Sequence, residues 1–223
     1  VKSSFDKTIA SIGADDLKYG TEKEHVPSTP RVFFNSTLGI TDLSMPDLSL
    51  KNGGFEADSK SYAPWQGIGD ARVISKLGQF SPASGVNTGI LSTGLGYTTT
   101  SGEISQRVFV QNTQSHLKFS WNYLSEEFKQ YCGSIYQDYF NVTVCKKDGS
   151  CDVIFSKKVD DLCDSVVQTN VILNTDMPAV YGTGWQNQVI DISAYRGKTI
   201  TLKFEASDIG DSAYDTAALL DEI

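Results

Sequence analysis

Six carboxylates of the 223-residue chain fall in two short stretches: Glu126, Glu127 and Asp138 in one, Asp208, Asp211 and Asp215 in the other. Each stretch follows a strand-like run, which puts the acids at loop ends. If the fold brings them together, their charges repel unless a cation joins them. A carboxylate cluster in a chain with only two histidines, His25 and His116, suits calcium or magnesium rather than zinc. The D-x-D-x-G order of an EF-hand is missing, so any site must be assembled by the fold. The alternative is surface charge dispersed in water. Two acids facing one another could also hydrolyse a glycoside, and Glu126 with Asp215 is the pair to ask first. No G-x-S-x-G or H-E-x-x-H motif accompanies them. His116 alternates with Leu117, Phe119 and Trp121, which leaves it on the polar face of a strand. The expectation is a protein that is not an enzyme.

Aromatic side chains offer a second kind of chemistry, because sugar rings stack on their faces. Trp65, Trp121, Trp185, Tyr97, Tyr136, Tyr181 and Tyr214 are candidates. Trp121 reads as core from its alternation with Leu117, Phe119 and Tyr123. Trp185, in the loop-like Gly182-Thr-Gly-Trp185-Gln, is the exposed candidate. Tyr136 and Tyr214 lie inside the two acid-rich stretches and read as rim residues beside any site there.

The four cysteines, Cys132, Cys145, Cys151 and Cys163, show no C-x2-C pair and no zinc-like spacing. Two disulfides in one of three connectivities are expected, with reduced thiols as the alternative. Cys145 and Cys151 flank a turn containing Asp148-Gly149 between strand-like FNVTV and DVIF, where a bridge across a hairpin is possible. That pairing leaves Cys132 for Cys163. Disulfides imply an oxidising, extracellular compartment. The chain opens on Val1 with no leader-like segment, the form expected of a processed protein.

These residues must be positioned by short strands. From Asp47 onward, runs rich in Val, Ile, Thr, Phe and Tyr alternate with Gly, Asn, Asp and Ser: 71–77, 89–94, 102–110, 116–124, 139–145, 153–159, 187–193, 198–207 and 216–223. Several keep a period of two, such as Ile200, Leu202 and Phe204, the mark of half-buried strands. Eight or nine such strands predict an all-β fold, a jelly-roll β-sandwich over 47–223. The stretch Leu162–Gln186 carries few strand signals and reads as a long loop. Residues 1–46, with Pro27, Pro30 and Pro46, read as an irregular N-terminal arm holding a helix near Phe5–Ile12 and a strand near Arg31–Phe34. Eleven Phe and ten Tyr supply a core. The formal charge of −8 and the lack of a Lys/Arg cluster argue against a nucleic-acid partner. No apolar run reaches the length of a membrane span.

Two sets of motifs carry a resemblance. Asn52-Gly-Gly-Phe-Glu56 near the start of the sandwich and Ala218-Leu-Leu-Asp-Glu-Ile223 at its end resemble bacterial jelly-roll carbohydrate-binding modules and their relatives. The resemblance implies that Glu56 and Asp221 hold a structural calcium; solvated surface acids are the alternative. Trp121-Asn-Tyr-Leu-Ser-Glu-Glu-Phe128, then Gly133-Ser134, Asp138-Tyr-Phe140 and Gly210-Asp-Ser-Ala-Tyr-Asp215, resembles a module of large bacterial surface proteins and adhesins with variable C-terminal anchors. Together they imply a secreted or cell-surface protein that binds an extracellular glycan or peptide in adhesion, with Ca2+ ordering Glu126, Glu127, Asp138, Asp211 and Asp215. A structural spacer in a surface layer is the alternative, and a glycoside hydrolase a third.

Overall fold

The computed structural model describes residues 47–95, 99–173, 179–210 and 213–223. The helix and strand expected within 1–46, and the candidates Tyr97 and Asp211, lie outside the described residues. Among the described residues eleven strands follow one another: β1 (Gln66–Ile74), β2 (Thr88–Ser92), β3 (Ser101–Phe109), β4 (His116–Ser125), β5 (Tyr139–Cys145), β6 (Cys151–Lys158), β7 (Val167–Gln168), β8 (Tyr181–Gly182), β9 (Gln186–Asp191), β10 (Thr199–Ser207) and β11 (Thr216–Asp221). A single turn of helix, α1 (Val159–Leu162), follows β6. All strand pairs are antiparallel.

The order β6-β5-β10-β3-β1 forms one sheet, and β1-β2-β11-β4 continues the path, with β9 and β8 on β4 and β7 on β8. Strand β1 belongs to both layers: Gln66–Gly69 pair with β3, and Asp70–Ile74 pair with β2. Gly69 has φ +66°, and Gly102 lies so close to the Asp70 carbonyl and the Ser92 amide that a side chain has no room. That is the crossing between layers, and glycine is required on both strands.

The period of two in β3 and β10 places Ile104, Val108, Ile200, Leu202 and Phe204 inward. They meet Phe119, Trp121 and Tyr123 of the opposing sheet in one core. Phe119 packs edge-on against Phe204 at 5.3 Å and Phe155 at 5.7 Å; Trp121 stacks on Phe140 at 5.9 Å. The fold is an all-β jelly-roll sandwich. Strands β2 and β11 are buried along their whole length. Their outer face is covered too, by a second cluster in which Ile90, Leu124, Ala217 and Leu219 meet Val171, Leu173 and Val180. This corrects the long loop expected over Leu162–Gln186. The segment holds the two-residue strands β7 and β8, and its apolar residues cap the outer face of the second sheet.

Both disulfides form as the hairpin argument expected, Cys145–Cys151 across the β5–β6 turn and Cys132–Cys163 between the β4–β5 loop and α1.

Candidate functional site

The pairing registers sort the strand ends into two rims. Ser207 of β10 is opposite Ser101 of β3 and Tyr139 of β5; Thr216 of β11 is opposite Ser125 of β4. Thus the ends of β2, β4 and β10 and the starts of β3, β5 and β11 share one rim. Asp221, Thr88 and Phe109 lie at the other.

The first rim gathers the acids. Glu126, Glu127, Asp138 and Asp215 are all at most 5% exposed, so the reading of dispersed surface charge fails for them. The first three are each tied to backbone of another strand end. Glu126 Oε2 accepts the Asp215 N–H at 2.9 Å, and Glu127 Oε2 accepts the Asp138 N–H at 3.3 Å. Asp138 accepts the Ile209 N–H at 2.8 Å and the Thr216 hydroxyl at 2.7 Å. Asp215 sits against Gly94, where a Cβ would meet its carboxylate. Burial and the charge of Asp70 push Asp215 above the usual carboxylate range.

Three more groups complete this rim: Asp208, which the sequence places among the clustered acids, and Asp70 and Tyr123, which it did not single out for a site. Asp70 is fully buried and ion-paired to Arg72 at 2.6 and 2.7 Å, while a second Arg72 hydrogen bond goes to the Leu95 carbonyl. Asp-x-Arg on a strand puts both residues on one face, which is the sequence signal for the pair. Asp208 lies beside Thr93 and Asp138, yet both its carboxylate oxygens are shielded from solvent without a completed hydrogen bond. Burial, then the Asp138 charge, pushes it up to about 8. Tyr123, fully buried, has its hydroxyl beside Thr216 without completing a hydrogen bond; burial, then the charges of Asp138, Glu127 and Asp208, raise its pKa.

Three tyrosines belong to the loops of the same rim. Tyr131 meets Tyr136 at 5.5 Å and Tyr214 at 4.9 Å between ring centroids, and all three are half-buried. Tyr136 and Tyr214 were expected at this rim; Tyr131 was not singled out, although it adjoins Cys132. The loop that carries Tyr131 and Tyr136 is held in several places. Cys132 is bonded to Cys163, the Gly133 N–H donates to Asp160 Oδ1 at 2.6 Å, the Asp160 N–H donates to Gln137 Oε1 at 3.0 Å, and Lys129 Nζ donates to the Cys163 carbonyl at 2.6 Å.

Trp185 stands apart. It packs against the second cluster, and its indole N–H donates to the Ser81 carbonyl at 2.9 Å. The glycines around it suggested an exposed loop, but the side chain covers apolar surface.

At the opposite rim Glu56 and Asp221 reach the same loop. Glu56 Oε1 accepts the N–H groups of Val86 and Asn87 at 2.8 and 2.9 Å, and Asp221 Oδ2 accepts that of Ser84 at 3.0 Å. Burial raises the pKa of Asp221. A Cβ on Gly54 would lie within 4 Å of both side chains. Both residues thus bond to the one loop at 84–87, and their oxygens are of the type a hard cation takes. Among the described residues, no three His, Cys, Asp or Glu side chains converge as a metal-binding group at either rim. No helix among them is long and apolar enough to cross a membrane.

No protein-family model matches the chain, and no curated protein matches it. Among solved structures it is similar to carbohydrate-binding modules and adhesin domains. TmCBM61, solved in complex with β-1,4-galactotriose, is 17% identical over 77% of this chain and 93% of its own, with a TM-score of 0.39. A non-crystalline-cellulose-specific module, CBM28, is 11% identical over 78% and 91%, with a TM-score of 0.43. The K1 cleaved adhesin domain of Lys-gingipain from Porphyromonas gingivalis is 13% identical over 72% and 92%, with a TM-score of 0.38.

Proposed function

We propose that this chain is a non-catalytic recognition module, secreted or displayed on a bacterial cell surface, that binds an extracellular glycan in adhesion. The observation that carries the reading is the Tyr131–Tyr136–Tyr214 group, held at one rim by the Cys132–Cys163 bridge. Aromatic faces take up sugar rings, and rings fixed before the ligand arrives lose little conformational freedom on binding. Two disulfides support an oxidising compartment.

Calcium belongs to the proposal at both rims. Glu56 with Asp221 at one, and the acids around Asp138 at the other, would hold it, and it would offset the charge collected there. A hydrolase is disfavoured by access: Glu126 and Asp215 are buried and tied to one another through the Asp215 N–H, where no sugar can lie between them.

The test is an array of glycans and peptides probed in calcium, repeated with Tyr136→Ala and Tyr214→Ala. Glycan hits that both variants weaken at least tenfold support the reading. Hits among peptides alone, hits the variants leave unchanged, or a blank array would overturn it.

A further inference from the structure

The acids of the crowded rim do not all have the same work. Glu126 and Glu127 each give an oxygen to an amide N–H of another strand end, and so lash β4 to the starts of β11 and β5. Asp208 lashes nothing. Both its oxygens are closed off from water and complete no hydrogen bond, although Asp138 and Thr93 are its neighbours. A shielded carboxylate without partners is costly, and proteins discharge it with a proton or a cation.

The phenol beside it separates the two. Tyr123 is fully buried beside Thr216, whose hydroxyl donates to Asp138, and the charges of Asp138, Glu127 and Asp208 act on the Tyr123 phenol. A hydroxyl among carboxylates is an O–H donor surrounded by acceptors, yet this one donates to none of them. A proton shared between Asp138 and Asp208 would leave that oxygen unexplained. A cation seated between the carboxylates and the phenol accounts for both, because it takes lone pairs from Asp208 and from Tyr123 together. The surrounding donors are all hard oxygens: the carboxylates of Asp138 and Asp208 and the hydroxyls of Tyr123, Thr93 and Thr216. An irregular oxygen set of this kind suits calcium, which tolerates variable geometry, better than magnesium, which demands an octahedron.

We infer that a calcium ion binds between Asp138 and Asp208 under the Tyr123 hydroxyl, and that Asp208, rather than Glu126 or Glu127, is the ligand on which its affinity depends. The inference rests on the reading of calcium at this rim and deepens it by placing the ion. It does not depend on what the rim tyrosines bind.

The full chain, stripped with chelator, is titrated with CaCl2 by calorimetry and by melting temperature, and with Tb3+ under 280 nm excitation. Wild type is expected to melt higher in calcium than in an equal concentration of MgCl2 and to sensitise Tb3+ emission. Asp208→Asn should weaken calcium binding at this rim at least tenfold and lose most of the emission. Tyr123→Phe should dim emission while changing calcium affinity less than Asp208→Asn does. Glu127→Gln should cost stability in chelator and in calcium alike. Calcium binding undiminished in Asp208→Asn overturns the placement, as does an Asp208→Asn protein that melts as high in chelator as wild type does in calcium, the result of a shared proton. Should Asp208→Asn fold poorly, Thr93→Val gives a second reading: a fold-loss in calcium affinity supports the site, and unaltered affinity with unaltered emission refutes it. A blank glycan array with these calcium results intact would remove the ligand reading alone.

Discussion

The two disulfides lie at opposite rims, so removing each should have a different consequence. Cys145–Cys151 closes six residues and Cys132–Cys163 closes 31. Loop-closure entropy then assigns about 2.2 kcal/mol to the first and about 3.7 kcal/mol to the second. For a unit of this size each kcal/mol moves the melting temperature by roughly 2–4 °C. Replacing Cys145 and Cys151 with Ser should therefore lower it by about 4–9 °C, and replacing Cys132 and Cys163 by about 7–15 °C. Only the second pair carries the tyrosine loop. Amide exchange followed by mass spectrometry should show residues 128–137 losing protection in Cys132→Ser/Cys163→Ser, because the Gly133 and Asp160 N–H bonds across the loop depend on that anchor. The same peptides should be unchanged in Cys145→Ser/Cys151→Ser. Urea melts with equal m-values would supply the energies. A larger loss from the six-residue loop, or unaltered exchange over 128–137 after removal of Cys132–Cys163, would refute the reasoning.

Gly102→Ala should destabilise by about 1–3 kcal/mol or more, because its Cβ would press on the Asp70 carbonyl and the Ser92 amide, and neither backbone atom can step aside; a thermal melt within about 0.5 kcal/mol of wild type would contradict this. Arg72→Ala strands the buried Asp70 charge and should cost toward the lower end of about 3–5 kcal/mol, since Arg72 is itself 41% exposed, and Asp70→Asn added to it should recover part of the loss in urea. In chelator, stability should fall as pH rises from about 4 to about 8. Over that window the folded chain holds a proton on Asp208 that the unfolded chain has already released, so the stabilisation present below the ordinary carboxylate pKa of 3.8 is lost on the way to about 8. A melting temperature flat across that range, or a slope that Asp208→Asn leaves intact, would contradict it.

What was legible in the chain, and what was not, divides along a physical line. Strands such as β3 and β10 announce themselves, because one face meets the core and the other meets water, and alternation records that. The hairpin disulfide was legible because both cysteines flank one turn. The second cluster was not, because Val171, Leu173 and Val180 are too few and too loosely spaced to signal a strand; they make sense only once Leu124 and Leu219 are known to lie beneath. At the rim, sequence showed which acids stand at strand ends and could not show which end meets which. Register decides that. Glu126 reaches the Asp215 amide because Ser125 is paired with Thr216 across β4 and β11. The same residue type therefore divides its roles by position. A carboxylate one step past a paired strand end finds an N–H and becomes a strut. Asp208, one step past the end of β10, finds the charge of Asp138 and no N–H to satisfy it.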